Sequence, residues 1–359
     1  MKRLFRHLSQ LVPALLSLGL LAYVLRFADI SRALELVQGL GWRLPLLVLP
    51  NLLATLLEAS GWWLSFSRFG GGGRPAMSSV VRVRIMDYAI LLGLPWGGVV
   101  AESVLPYLLK RHCGVAFEVG IVATVARKFF VVFSHGIFLA LAALLAWPVL
   151  DRASRAMIGR GGLPWLLLAT AAILMLASSG AVLAGSRGKV ANRVHGFLDR
   201  TGGRWLGSWL ERNALRFRRT DEQLASFFSR RPSGLAPAIL LYVLGWFVRS
   251  LETLVFLHLV GVTIPLGAAM VVEASLILVR SLVMPVPGGV GVQEVGYVLC
   301  LKALGVADLG TVGTAFVLLK RGKDLFWVVL GFLLLAIGRR PGEAVVPPSV
   351  EAEHADAPS

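Results

Sequence analysis

Six predominantly apolar stretches constrain this chain more than any other feature: Leu8 to Leu25, Leu44 to Phe66, Ala116 to Ala146, Leu163 to Ala184, Leu235 to Val260 and Thr311 to Ile337. A helix crosses a bilayer with about 20 apolar residues, so each is a candidate span. Composition agrees. Hydrophobic residues make up 56% of the 359 and charged residues 16%, against about 25% charged in soluble chains. The expected fold class is an all-α polytopic membrane protein, with one integral domain over 1–340 and a disordered tail over 341–359 rich in Pro, Ala and Glu. The first stretch follows Lys2, Arg3 and Arg6 without a small-x-small cleavage site, so a retained helix is expected rather than a signal peptide. Cys113 and Cys300 stand far apart, which supports neither a disulfide framework nor a zinc site.

Two further apolar regions are broken in the middle. Ile85–Leu94 meets Pro95-Trp96-Gly97-Gly98 before Val99–Leu109, and Leu266–Met284 meets Pro285-Val286-Pro287-Gly288-Gly289 before Val290–Leu304. In the first, each arm is about ten residues, roughly 15 Å or half a bilayer. Such arms suit a re-entrant helix hairpin whose tip is shielded by protein or faces a wet cavity; a Pro-kinked single span is the alternative.

Charge asymmetry orients the spans. The formal charge is +16, and Lys and Arg gather in short cytoplasmic loops. A cytoplasmic amino terminus with two re-entrant hairpins puts inside the cluster Arg68, Arg74, Arg82 and Arg84, then Lys110 and Arg111, the segment 187–231 and Arg339-Arg340. The carboxy terminus is then cytoplasmic too, and of the basic clusters only the modest one of Arg152, Arg155 and Arg160 falls outside. Segment 187–231 carries eleven Lys and Arg against four acids. With its stripe of Trp205, Leu206, Trp209 and Leu210, it reads as a helix on anionic inner-leaflet lipid rather than a nucleic-acid site.

An internal repeat emerges. Gly70, Pro95, Gly97-Gly98, Glu102, Gly114-Val115 and Arg127 recur in order as Gly261, Pro287, Gly288-Gly289, Glu294, Gly305-Val306 and Arg321. The halves are about 44–147 and 235–338, and under this topology they are inverted. Inverted repeats with broken helices meeting near the midplane are a transporter architecture.

Intramembrane charge costs at least about 2.5–3.5 kcal/mol on insertion scales, and here it concentrates in the repeats. Glu102 and Glu294 follow the tips. Arg127-Lys128, His135, Lys320-Arg321, Lys323 and Asp324 lie in the helices after them; Arg249, Glu252, Glu273 and Arg280 precede the second tip, and Glu58 is the one charge in its span. Ion pairing within one helix is an alternative for Arg249 with Glu252 and for Lys320 with Asp324. Glu294, Arg321 and Arg280 accompany a helix break, where free backbone N–H groups attract anions and an arginine grips phosphate bidentately. A lipid headgroup is the natural ligand. His135 and His258 are expected to be packed and neutral, and Trp62-Trp63 and Trp165 to be interfacial anchors.

Leu251-Glu252-Thr253, Val272-Glu273-Ala274, Arg280-Ser281, the run Pro287-Gly288-Gly289-Val290-Gly291-Val292-Gln293-Glu294 and Leu319-Lys320-Arg321 resemble the flippase-like family related to the transmembrane region of lysylphosphatidylglycerol synthases. Within it they are most similar to membrane transporters associated with hopanoid biosynthesis. The resemblance implies translocation of a lipid between leaflets of the bacterial inner membrane, with no cofactor, and enzymes of lipid biosynthesis as candidate partners. Its usual Gly-Gly-acid motif is altered in the first half, where Gly97-Gly98 is separated from Glu102 by Val99-Val100-Ala101. No aminoacyl-transferase domain follows residue 340, so lipid lysylation is not carried over. The expected substrate-binding residues are Glu102, Arg127, Glu252, Glu273, Arg280, Pro287, Gly288, Gly289, Gln293, Glu294 and Arg321. No Walker-type GxxxxGK[ST] segment occurs, which excludes nucleotide as a direct energy source. The rival readings are a membrane-embedded lipid-phosphate or polyprenyl-phosphate enzyme, disfavoured by a tip without Ser, Thr or His, and a non-transporting partner of lipid-modifying enzymes.

Overall fold

Regular structure begins where the sequence supplies starts and stops for helices. Proline occupies the first turn at Pro148, Pro164 and Pro237, where its missing N–H costs nothing. Gly114 and Gly159 end helices in the left-handed conformation. The structure is a computed structural model describing residues 28–69, 74–187, 218–230, 232–282 and 287–337, with isolated positions at 19, 22, 26 and 215. The expected amino-terminal span, the basic interfacial stripe at Trp205–Leu210 and the tail 341–359 lie outside the described residues. Among the described residues every regular element is helical: α1 Ile30–Gly39, α2 Val48–Ser65, α3 Met77–Gly93, α4 Gly97–Cys113, α5 Phe117–Leu145, α6 Trp147–Ile158, α7 Leu163–Ser186, α8 Ala236–Leu259, α9 Leu266–Leu282, α10 Val292–Ala303 and α11 Thr314–Ala336. Short 3-10 turns extend α2 at both ends, so that one helical rod runs Gly41–Arg68.

Four rods are long and apolar enough to cross a membrane: Gly41–Arg68, Phe117–Leu145, Leu163–Ser186 and Ser233–Leu259. The stretch expected at Thr311–Ile337 forms α11, of 23 residues, preceded by a π-helical turn at Leu309–Gly313. It is long enough, but Lys320, Arg321, Lys323 and Asp324 cluster in its middle.

The broken regions reverse the chain. α3 and α4 pack against each other, as do α9 and α10, so the first break at Leu94–Trp96 is a turn between neighbouring helices. The first hairpin's arms are longer than expected, 17 residues each, or about 25 Å. The first arm begins back at Met77: of its charges Arg84 finds the buried partners Glu58 and Asp87, while Arg82 stays exposed. The residue after each tip proline is left-handed: Trp96 at φ 54° and Gly288 at φ 54°. That conformation is costless for Gly288 and uncommon for a bulky tryptophan.

α2 lies against α8, α3 against α11, and α9 against α5. Small residues set these approaches, as is usual between membrane helices. A Cβ on Gly61 would sit 3.0 Å from the Ala238 carbonyl oxygen, and one on Gly331 2.7 Å from that of Ile85. The second tip rests on the first hairpin, since a Cβ on Gly288 would lie 3.3 Å from the Leu92 carbonyl oxygen.

Candidate functional site

The helices converge on a largely buried array of acidic and basic side chains. From α2, Glu58 accepts from Arg84 of α3 through Nε at 3.1 Å and NH2, and from Arg249 of α8 at 2.8 Å. Arg249 also donates to the Asn51 side-chain oxygen at 3.0 Å. Arg84 continues to Asp87 one turn on, at 2.6 Å, and Asp87 meets Arg127 of α5 at 3.1 Å. Arg127 then donates to Glu102 of α4 at 3.1 Å, and Lys128 lies 3.2 Å from the same Glu102 oxygen.

A second group surrounds α11. Lys320 donates to Glu252 at 2.8 Å, to the Thr253 hydroxyl at 2.9 Å and to Glu273 at 3.1 Å. The rings of Phe256, Phe316 and Tyr297 stand 5.2 to 6.0 Å from its ammonium, within cation–π range. Lys323 donates to Glu252 at 2.9 Å and lies 3.3 Å from Asp324. At the second tip Arg321 donates to Glu294 at 2.6 Å and to the Gly288 carbonyl at 3.0 Å. Glu294 also accepts from the Gly291 N–H at 2.6 Å, and the Gln293 amide donates to the Gly288 carbonyl at 2.7 Å. The Tyr88 hydroxyl donates to Asp324 at 3.2 Å while Arg84 lies 6.0 Å over its ring, so Tyr88 joins the two groups.

The protein's own groups leave several polar atoms in this centre without a hydrogen-bond partner among the described residues: Arg127 Nε, Arg249 Nε, Arg321 NH2, Glu252 Oε2 and the Tyr242 hydroxyl. Buried polar atoms are normally satisfied by protein or water, so the centre is suited to water or a polar ligand. Among the described residues no three His, Cys, Asp or Glu side chains gather as a metal site.

The structure therefore unites most of the expected site residues. Glu102 and Arg127 bond each other, and so do Glu294 and Arg321, one pair beside each helix break. Glu252 and Glu273 share Lys320. Gly288 and Gln293 form the second tip, where Gly289 stays side-chain-free because a Cβ would meet the Gln293 amide at 2.6 Å. Pro287 opens the 3-10 turn at that tip. The side chains of Pro287 and Arg280 lie outside what is described.

Several expectations are corrected. Arg249 and Glu252 do not pair with each other, nor Lys320 with Asp324; each reaches another helix, where burial strengthens the contact. Arg84 is 6% exposed and belongs to the centre, not to a solvated loop. Arg68 is buried as well: it donates to the Phe227 carbonyl at 3.1 and 3.0 Å and to the Arg230 carbonyl at 2.8 Å, closing the end of a helical stretch at 218–229. Trp62 is fully buried, donating to the Ala123 carbonyl at 2.9 Å; Trp165 is 65% exposed, as an anchor would be. His135 packs against Trp246 with ring centroids 4.5 Å apart and the planes tilted by 53°. His258 is exposed in the last turn of α8, where a basic side chain faces free carbonyls. As members of this centre Asp87, Asn51, Tyr88 and Tyr242 escaped the sequence reading altogether, and Arg84 and Thr253 entered it only as a loop arginine and as part of the run Leu251-Glu252-Thr253. Asp87 was open to detection, as an acid one turn after Arg84 in an apolar arm.

Apolar membrane-length helices packed around paired, buried charge define a multi-pass helical membrane protein. The profile of the family described as the lysylphosphatidylglycerol synthase TM region matches residues 10–336, and the chain belongs to that family. Comparison with curated proteins and with solved structures returns no match.

Proposed function

We propose that the protein moves a polar or phosphorylated lipid, a phospholipid or a hopanoid, between the leaflets of the bacterial inner membrane. One observation carries this reading: each half places a Glu–Arg pair beside a helix break, Glu102 with Arg127 and Glu294 with Arg321. An arginine held by a carboxylate can exchange it for a phosphate without ever being left bare, which lowers the cost of taking a headgroup into the bilayer. Membership of a lipid-synthase transmembrane family makes lipid the natural cargo. In this scheme residues 44–147 and 235–338 are inverted copies, the α3–α4 and α9–α10 hairpins re-enter from opposite faces, and both termini are cytoplasmic. The two half-sites open alternately, and the acyl or polycyclic part stays in lipid. The lipid gradient, or protons carried through Glu273 or Glu294, supplies the drive, and enzymes of lipid biosynthesis supply the cargo.

The test is transbilayer movement of acyl-labelled lipids in proteoliposomes. Glu294→Gln and Arg321→Ala should each slow movement by about tenfold or more, the loss of one charge-assisted bond of about 1.5–3 kcal/mol. Movement at the wild-type rate in both variants would show that the second tip does not handle substrate.

A further inference from the structure

We infer that the first tip selects a lipid whose headgroup carries both a phosphate and an N–H ammonium, a zwitterionic headgroup in preference to a purely anionic one. The inference deepens the transport reading and rests on it for what happens after binding; the binding site itself stands on the geometry of Glu102 and Lys128.

Arg127 and Lys128 both contact the same Glu102 oxygen, Oε1, at 3.1 and 3.2 Å. The second oxygen is left for an outside donor, on a side chain 27% exposed. Lys128 is 56% exposed, and an ammonium has three N–H donors, of which this contact uses one. A charged acceptor and a charged donor therefore stand side by side on neighbouring helices, open to the outside. Their frame is apolar: Val99 is exposed one turn before Glu102 on α4, and Val125 one turn before Lys128 on α5. Acyl chains lying along α4 and α5 would leave the headgroup at this pair, which favours a lipid over a soluble phosphate.

Charge decides the headgroup class. Among the described side chains the joined network contains seven carboxylates and seven basic groups. A phosphate alone would reach Lys128 while facing Glu102, and an ammonium alone would reach Glu102 while facing Lys128. Either adds uncompensated charge where the membrane screens it poorly. A headgroup bearing both replaces one contact with two and leaves the sum unchanged.

The second tip offers no equivalent place. Gly322 follows Arg321 where Lys128 follows Arg127, and Glu294 is 3% exposed with both oxygens already bonded. Selection thus falls to the first half.

The experiment has two readouts. In proteoliposomes, wild-type protein should move acyl-labelled phosphatidylethanolamine about tenfold faster than acyl-labelled phosphatidylglycerol, the factor given by 1.4 kcal/mol. Glu102→Gln should erase most of that ratio, and Lys128→Gln should slow both lipids. In the second readout, detergent-purified protein equilibrated with equal amounts of the two lipids is examined by native mass spectrometry. It should retain phosphatidylethanolamine preferentially, and Glu102→Gln should lose the preference while remaining monodisperse. Retention without movement of any lipid would uphold the site and sink the transport reading. Movement of phosphatidylglycerol at an equal or greater rate, or an unchanged ratio in Glu102→Gln, would overturn the inference. So would full displacement of the retained lipid by millimolar phosphoethanolamine, which would assign the pair to a soluble ligand.

Discussion

Replacing Glu58 by glutamine removes one negative charge where α2 meets α8, and its cost follows from its surroundings. The side chain is 5% exposed and is gripped by Arg84 and, at 2.8 Å, by Arg249. Glutamine keeps the volume and one acceptor oxygen, so packing changes little and the loss is electrostatic. A unit pair about 4 Å apart is worth about 4 kcal/mol at an effective dielectric near 20, and breaking one buried pair costs about 3–5 kcal/mol. The two arginines do not share this equally. Arg84 retains Asp87 at 2.6 Å, whereas Arg249 is left with the Asn51 oxygen at 3.0 Å. Removing the stranded charge as well, in Glu58→Gln/Arg249→Met, should therefore recover a coupling energy of about 2–3 kcal/mol. The assay is thermal loss of the monodisperse peak in mild detergent. At about 2 °C per kcal/mol for a chain of this size, the single variant should fall by roughly 6–10 °C, and the double variant should lie well above the sum of the two singles. A Glu58→Gln protein melting with the wild type, or strictly additive singles, would refute the claim that this pair ties α2 to α8.

Two further outcomes follow from local geometry. Arg68→Ala removes three hydrogen bonds to the Phe227 and Arg230 carbonyls, worth about 2–3 kcal/mol together, so limited proteolysis should cut at 218–230 several-fold faster; unchanged cutting would mean that aromatic packing alone docks that stretch. Gly97→Ala places a Cβ on the Leu91 carbonyl oxygen and should abolish stable expression, whereas Gly114→Ala meets nothing within 4 Å and carries only the strain of φ +69°, about 1 kcal/mol in the same melting assay.

The long apolar rods and the helix breaks were legible because their determinants are local. The rods near 44–66, 116–146, 163–184 and 235–260 need only length and hydropathy, and the tips needed only proline and glycine. The arm at Met77–Gly93 was read short for the opposite reason. Arg82, Arg84 and Asp87 lower its hydropathy, and although Asp87 stands one turn from Arg84, the partner that buries the pair, Glu58, is brought to it only by tertiary folding. The one-turn pairs Arg249/Glu252 and Lys320/Asp324 misled in the same way: spacing permits an intrahelical contact, but in a membrane centre every charge seeks its best partner on any helix. Trp62 shows the converse, since a tryptophan beside Trp63 at a helix end suits an interface by composition, and only packing reveals that its ring lies under Arg127 at 5.7 Å.

The proposed duplication also explains why recurring identities pointed to Glu102, Arg127, Glu294 and Arg321 but not to the residues at the centre. A two-fold relation brings each axial position face to face with its own counterpart. Glu58 and Arg249 are such counterparts, each 12 positions before the glycine that recurs as Gly70 and Gly261, and they bond each other directly. Had that position stayed identical, two glutamates or two arginines would meet in a buried site, and like charges there are strongly unfavourable. An axial position in such a protein must diverge to opposite charge or become apolar. The Glu–Arg pairs beside the tips lie within one half each, so they can be copied intact. Repetition therefore reveals the off-axis half-sites, and the pivot between them shows up only as a conserved spacing occupied by opposite charges.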